Sequence, residues 1–334
     1  MGKFIFPLPV GLESESYVYD GHTGLPVDVL AGLKDLNGSI PKGSATSDAG
    51  LNQIELINRL PHADFRQAVA ELLYFESLLP TDWCVQWTSL LPGYQPGQEV
   101  KWAVKERYGV MHQALARECP DTWHLVKQMA TRSALHINIG LNPWTPAGML
   151  VLNLLNNVGP FISHQLREEF PESRGHMSVW QGWARPERLP AYGDFYKDRA
   201  DFKRQFSALP RLIRGEDKEN GPWYVDLETP QDPTCSSDLG SFWKLVRVKR
   251  APDGQYYIEI RILPTVPLRR LERLVEQVLR GVLALILWCE NLRHSPCATL
   301  EEAAPALKVA HRASPDFFPQ EPLTRDEWEK LFVS

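Results

Sequence analysis

Four separate segments of this chain place ligand-capable side chains two residues apart within apolar alternation. In an extended strand that spacing turns them to one face. Glu13 and Glu15 share a face with Gly11 and Tyr17, and Glu55 stands between Ile54 and Leu56. Leu135, Ile137, Ile139 and Leu141 make one face of a further strand wholly apolar, which leaves Ala134, His136, Asn138 and Gly140 on the other. Ile258, Ile260 and Ile262 set a core face against which Glu259 and Arg261 stand on the reverse. Any one of these patterns alone is more often a solvated face, and a lone His136 more often a structural histidine. Joined in one sheet, however, the four would crowd carboxylates that raise one another's pKa unless a cation neutralises them. Mg2+, which prefers oxygen ligands and shares them with substrate phosphates, is the economical cation. Metal plus arginine on one surface is what phosphoryl transfer needs, since that chemistry depends on positioning and on neutralising the moving oxygens.

The elements that must position these residues follow from periodicity. Strands are expected at 8–19, 53–58, 83–90, 133–141, 242–250 and 256–263. Helices are expected at 64–79, capped by Asp64 and ended by Pro80, and at 105–117, 121–132, 147–169, 199–208, 267–293 and 324–332. The last two strands form a hairpin, because Pro252, Asp253 and Gly254 supply turn chemistry between two alternating runs. Between 171 and 240, Pro, Gly, Ser and charged residues dominate, with Glu172 to His176 and Gly215 to Gly221 as examples, so this stretch reads as long loops able to cover a site. No internal repeat interrupts the pattern, and a chain of 334 residues fits one elaborated domain over 1–334.

Composition narrows the partners. A net charge of -5 offers no global attraction to nucleic acid or anionic lipid, and small molecules are favoured. The N-terminal residues lack a signal-peptide run, and the longest apolar stretch, 282–288, is far short of a bilayer span. The five cysteines form no C-x-x-C pair, so a disulfide framework is not expected and a cytoplasmic location is. No G-x-x-x-x-G-K-[ST], G-x-G-x-x-G after a strand, H-E-x-x-H or G-x-S-x-G occurs, so a nucleotide would be held by other means.

With those residues in view, the chain resembles the glutamate-cysteine ligase family, in particular its second bacterial type with the carboxylate-amine ligases. Gly11 to Glu15 is similar to that family's G-[IVL]-E-x-E strand, and Asn52 to Ile57 to its next acidic strand. Leu135 to Gly140 resembles its H-[VI]-[HN]-[VI]-G strand, Tyr257 to Ile262 its [TY]-[VIL]-E-[VI]-R strand, and Arg107-Tyr108 its R-Y before a helix. Order and approximate spacing agree over residues 8–293. The resemblance implies an α+β fold in which an antiparallel sheet forms an open funnel with helices on its outer face, as in glutamine synthetase and guanidino kinases. It also implies an ATP-dependent ligase that joins a carboxylate to an amine through an acyl phosphate, on glutamate or a related amino acid. Two or more Mg2+ ions would be surrounded by Glu13, Glu15, Glu55, His136 and Glu259, with Arg261 and Glu259 as the catalytic residues at the transferring phosphate.

 Arg261 would contact that phosphate directly, with Glu259 beside it on the same strand. Asn138, Arg185, Arg188 and Arg247 would bind ATP or substrate, the two middle arginines because 180–188 is similar to a loop where the family places an arginine near substrate. The small-Asn-Ser-Pro run that the family carries after the long helix is replaced by Phe161 to Leu166, and Pro264 stands where an aspartate is frequent. Those departures bear on substrate identity.

Three other readings stay open at this point: a ligase for a different acid and amine in specialised biosynthesis, a phosphotransferase of the guanidino kinase type, and a nucleotide-binding relative without turnover. A homodimer is compatible with the sequence. Because a polar funnel face contributes little to a core, Glu13→Gln and Glu259→Gln are both expected to remove metal-dependent turnover while leaving folding nearly intact.

Overall fold

The alternation seen in the sequence decides which way each strand faces. The computed structural model describes residues 4–35, 40–95, 100–103, 105–169, 182–215, 222–292, 297 and 299–333. Its main sheet is antiparallel and is built from β1 (Val10–Asp20), β2 (Ala45–Ser47), β3 (Gln53–Ile57), β4 (Trp83–Gln86) and β5 (Ala134–Ile139), completed by the hairpin β8 (Val246–Arg250) and β9 (Tyr256–Pro264). The order is β2-β3-β1-β5-β9-β8, with β4 pairing the end of β1 beyond β5. A second, two-stranded sheet joins β6 (Ile213–Gly215) to β7 (Trp223–Val225).

Helices α2 (Phe65–Ser77) and α4 (Pro146–Glu169) cover one face of the sheet, α2 against β1 and β3, α4 against β8 and β9. The buried residues of α2, namely Phe65, Ala68, Val69, Leu72 and Phe75, recur at helical spacing, and the Asp64 side chain caps the start by accepting from the Arg66 N–H at 3.1 Å. Helix α4 contains Pro160 yet runs unbroken, and it is fixed to the sheet by Asn156. That side chain donates to the Val246 carbonyl at 2.8 Å and accepts from the Val246 N–H at 3.0 Å. An outer layer of α7 (Leu271–Leu292) and α8 (Leu300–Ala313) packs on α4.

Leu12, Ile54, Leu56, Ile137, Ile139, Ile258 and Ile260 are completely buried beneath these helices. A slip of one residue in any of the strands would exchange them for the carboxylates on the opposite face, so burial fixes the register. One irregularity interrupts the ladder: Leu135 pairs with Leu263 but Ile137 with Ile260, so β9 carries an extra residue at the position of Arg261 and Ile262. Bulges of this kind re-aim side chains beside active sites.

Several expectations need correction. The segment 121–132 is not an α-helix: Trp123–Thr131 forms a 3₁₀ helix, whose three-residue turn puts Trp123, Val126 and Met129 above one another. Strand β4 stops at Gln86 rather than at 90, and β8 begins at Val246 rather than at 242, although Leu245 still accepts from the Arg261 N–H at 2.9 Å. Helix α1 (Val29–Asp35) and α8 were not anticipated, the latter because Pro305 stands inside it. The stretch read as loops holds α5 (Arg199–Ser207), which was expected, but also β6, β7 and the short α6 (Ser236–Gly240). Residues 170–181 and 216–221, which include Trp180 and most of the two loop examples, lie outside the described residues.

Candidate active site

On the face opposite α2 and α4, the sheet meets α3 (Glu106–Glu118), the 3₁₀ helix, α6 and β7, and a cavity of about 470 Å³ lies between them. Its floor comes from adjacent strands in register. Glu13 of β1 stands opposite His136 of β5, Glu15 opposite Glu55 of β3, and Asn138 of β5 opposite Glu259 of β9, which in turn faces Arg247 of β8.

Hydrogen bonds knit this floor together. Glu13 accepts from Asn138 Nδ2 at 2.8 Å and lies 3.2 Å from His136 Nδ1. The other imidazole nitrogen is 3.5 Å from Glu15 Oε1, while Glu15 Oε2 accepts from the Ala134 N–H at 2.8 Å. Glu259 is fully buried and sits among three cations: Arg247 in direct contact, Lys249 at 3.1 Å and Arg261 at 3.6 Å.

The electrostatics divide the cavity in two. Burial alone would raise the Glu13 carboxyl, but its bond to His136 and the charge of Lys249 outweigh this and hold it at about 2. Glu259 is also held well below the usual carboxylate range, because Arg247, Lys249, His136 and Arg261 together overcome its burial. On the other side, burial and the nearby charges of Asp48 and Glu55 push Glu15 well up, and burial with the charges of Glu13 and Asp48 does the same to Glu55. Burial, with Arg247 close by, brings the Arg261 guanidinium down to about 10, which still leaves it charged at neutral pH.

The residues fit a divalent cation on that evidence. Glu13, His136 and Glu259 offer ligand atoms within 4.8 Å of one another, and so do Glu15, Glu55 and His136. Buried carboxyls raised by desolvation and by one another's charge are groups that a bound cation would bring back to the ionised form. Among the described residues, the buried Asn138 Oδ1 has no hydrogen-bond partner, and His136 Nε2 and Glu259 Oε1 have only ion-pair contacts, with Glu15 at 3.5 Å and Lys249 at 3.1 Å. A native interior rarely leaves such atoms unsatisfied without an ion or water to meet them.

Of the ten residues singled out in the sequence, eight meet here: Glu13, Glu15, Glu55, His136, Asn138, Arg247, Glu259 and Arg261. Arg185 and Arg188 do not, which corrects their assignment to substrate. The Arg188 side chain is fully buried and grips the equally buried Glu118 with two nitrogens, at 3.0 and 2.9 Å, and Arg185 lies 3.1 Å from the same carboxylate. The Arg188 donors are committed to holding the 186–188 turn on α3, and one Arg185 nitrogen joins them. The equal standing of Glu13→Gln and Glu259→Gln is corrected as well: Glu259 neutralises buried cations, so its loss would unsettle the fold.

The sequence reading missed Asp48, Lys249, Trp102 and Trp223, and gave Arg107 and Tyr108 no role beyond a motif, although all six line the cavity. Asp48 accepts from the Tyr108 hydroxyl at 3.1 Å and adds to the repulsion at Glu15 and Glu55. Lys249 could have been found, since it lies two residues beyond Arg247 on the same strand face.

A melting experiment reads this charge pattern. Glu15 and Glu55 hold their protons in the folded state above the ordinary value of 4.5, so the metal-free folded chain binds more protons than the unfolded one. The stability they contribute is complete below that value and is lost as the pH rises through their folded values. Glu13 and Glu259, held low, act in the opposite sense, and their contribution is lost only as the pH falls below 4.5 toward their folded values. The melting temperature of chelator-treated protein should therefore fall between about pH 5.5 and about pH 8, and added Mg2+ should raise it more at the upper pH than at the lower. Equal stabilisation at both would contradict the carboxylate assignment.

A large antiparallel sheet with helices on one face and a polar, charge-lined cavity on the other is the architecture of the glutamate-cysteine ligase fold, itself glutamine synthetase-like. The solved structure of glutamate-cysteine ligase from Francisella tularensis in complex with AMP superposes on 99% of this chain and 78% of its own, with a TM-score of 0.53 and 14% identity. A bifunctional glutathione synthetase from Pasteurella multocida aligns with 98% of this chain and 45% of its own, at 16% identity and a TM-score of 0.41. No protein-family profile matches the sequence, and no curated protein matches it. Among the described residues, no helix is long and apolar enough to cross a membrane.

Proposed function

We propose that this chain is an ATP-dependent carboxylate-amine ligase, a single catalytic unit that forms an amide through an acyl phosphate, with glutamate or a related amino acid as the acid. The observation that carries this reading is the meeting, in one cavity, of a carboxylate cluster with an array of arginine and lysine. The first suits the cations that accompany a triphosphate, and the second suits the phosphates themselves. The fold shared with the Francisella ligase and the AMP held by that protein support it.

Glu13, Glu15, Glu55, His136 and Glu259, joined by Asp48, would hold Mg2+. Bound there, the metal would neutralise phosphate charge and shield the acid's approach to it. The chain's own groups do the rest. A carboxylate is a poor electrophile and must take the terminal phosphoryl group of ATP before an amine can displace it. Arg261 is placed to grip the moving oxygens with a planar fork of donors, and Arg247 and Lys249 to balance the charge that remains. Buried Glu259 keeps those three cations aimed into the cavity, and Asn138 fixes the rotamer of Glu13. Trp102, Tyr108, Trp223 and Trp243 wall the cavity and keep water from the activated acid.

A ligase releases phosphate from ATP only with both an acid and an amine, which a screen of amino acids and amines would detect. Arg261→Lys, which keeps the charge but loses the fork, should lower kcat in that assay about 100-fold or more while leaving the melting temperature within a few degrees. Near-normal kcat would remove Arg261 from the phosphate. A phosphorylated product that accumulates without amine would point to a kinase instead.

A further inference from the structure

The three cations around Glu259 are not held alike. Arg247 and Arg261 both approach its Oε2, and Arg247 also donates to the Gly240 carbonyl at 3.2 Å, so that guanidinium is anchored from two sides. Lys249 alone stands at Oε1, 3.1 Å away. The contact lacks the alignment of a hydrogen bond, and the buried oxygen remains unsatisfied. The Lys249 side chain is 25% exposed, against 10% and 9% for the two arginines. Its charge also attracts Glu13 and works against the repulsion that raises Glu55. Lys105, the other lysine near Glu55, is spent on β2, where its Nζ contacts the Ser47 carbonyl and stands 3.5 Å from the Thr46 hydroxyl.

Resting on the ligase reading and its metal, we infer that Lys249 holds the place of a cation in the resting cavity and is a catalytic residue of phosphoryl transfer. It gives up Glu259 Oε1 when a divalent cation takes that oxygen, and its freed ammonium meets the terminal phosphate of ATP. Oε1 is the oxygen at issue, because Glu259 offers a ligand atom together with Glu13 and His136 while its Oε2 is shared by two guanidiniums. An ammonium and a divalent cation repel too strongly to share one oxygen at contact, so one of them leaves. Lys249 is the group built to move, a compact charge on a flexible stem beside the planar forks of the arginines. Among the described residues it lines the cavity beside Arg247 and Arg261, so once released it stays where phosphate charge collects. In the transfer, the bond from the terminal phosphorus to its bridging oxygen breaks with its electrons going to ADP, and a carboxylate oxygen of the acid bonds to that phosphorus. Lys249 exchanges no proton in this step and acts by charge alone.

Lys249→Met tests this on the intact chain, since it removes the competing charge and keeps the length of the stem. Mn2+ titrated into the nucleotide-free protein and followed by electron paramagnetic resonance should bind about tenfold tighter than to the unaltered chain. With ATP, Mg2+, the acid and hydroxylamine, the same variant should form hydroxamate with kcat lowered about 100-fold. Tighter metal with slower chemistry is the signature of a residue that yields to the cation and then serves the phosphate. Weaker or unchanged Mn2+ binding would overturn the exchange at Glu259. Tighter Mn2+ with kcat unchanged, whether or not KM for ATP rises, would leave Lys249 a counter-charge or a ground-state contact and overturn its catalytic part. The unaltered chain gives a second reading that no failure of the variant to fold can remove. Acylation of Lys249 by an N-hydroxysuccinimide ester, read by mass spectrometry, should run faster with Mg2+ and slow again when β,γ-imido-ATP is added, and a rate indifferent to Mg2+ would overturn the inference. Neither the titration nor the labelling involves acid or amine, so absence of hydroxamate from the unaltered chain would fall on the ligase reading and leave those two measurements to decide the exchange.

Discussion

Glu13→Gln should lower kcat for amide formation about 100- to 1,000-fold, with a loss of melting temperature far too small to account for it. Glutamine keeps the shape of the side chain and an oxygen for Asn138 or His136, but it removes a charge that, at a pKa of about 2, is present throughout the neutral range. That charge repels Glu55 and Glu259, but its attraction to His136 and Lys249 outweighs this, so its loss also costs some stability at neutral pH. A fall in kcat that persists at temperatures well below the melt is what a residue kept for binding gives. Steady-state kinetics beside a thermal melt checks both, and kcat within about threefold of the unaltered chain would speak against a metal role for Glu13. Glu259→Gln is a poorer probe. It leaves Arg247, Lys249 and Arg261 without their shared counter-charge, at a cost of about 3–5 kcal/mol, so loss of activity there would mix catalysis with folding.

The second large effect lies outside the cavity. Arg188→Leu should destabilise the chain by about 3–5 kcal/mol in urea titration, because it strands the buried Glu118 carboxylate. Arg185, about half exposed, reaches the same carboxylate with one nitrogen and cannot replace a two-pronged grip. Converting both partners, Glu118→Leu with Arg188→Leu, should recover most of the loss, since a well-packed apolar pair often matches a buried ion pair. A substrate-binding Arg188 would behave otherwise: the single variant would stay stable and raise KM.

These two residues also show what the sequence carries and what it hides. Glu13, Glu15, Glu55, His136, Asn138, Glu259 and Arg261 were legible because each lies in a strand whose opposite face is apolar, with only Ser14 and Ser16 of β1 as small exceptions. Burial on that side leaves the polar side chains only one direction to point, and antiparallel pairing brings them together. Asp48 gave no such signal, since it follows a three-residue strand too short to show a period. Met111, Val126, Met129 and Trp102, which also line the cavity, come from a helix, a 3₁₀ helix and an isolated bridge that meet only in three dimensions. Arg188 misled for the reverse reason. A Pro-Glu-Arg turn in a polar stretch looks like surface, and its burial depends on Glu118, 70 residues away. The 3₁₀ conformation of Trp123–Thr131 was likewise hidden, because nothing in its composition separates it from an α-helix.

The central claim is that a phosphoryl group passes to a carboxylate before the amine arrives, and oxygen transfer tests it directly. With the acid labelled with ¹⁸O in its reacting carboxylate, each amide formed should leave one labelled oxygen in the inorganic phosphate released, measured by mass spectrometry. Label appearing in AMP, or phosphate released without any label, would contradict it.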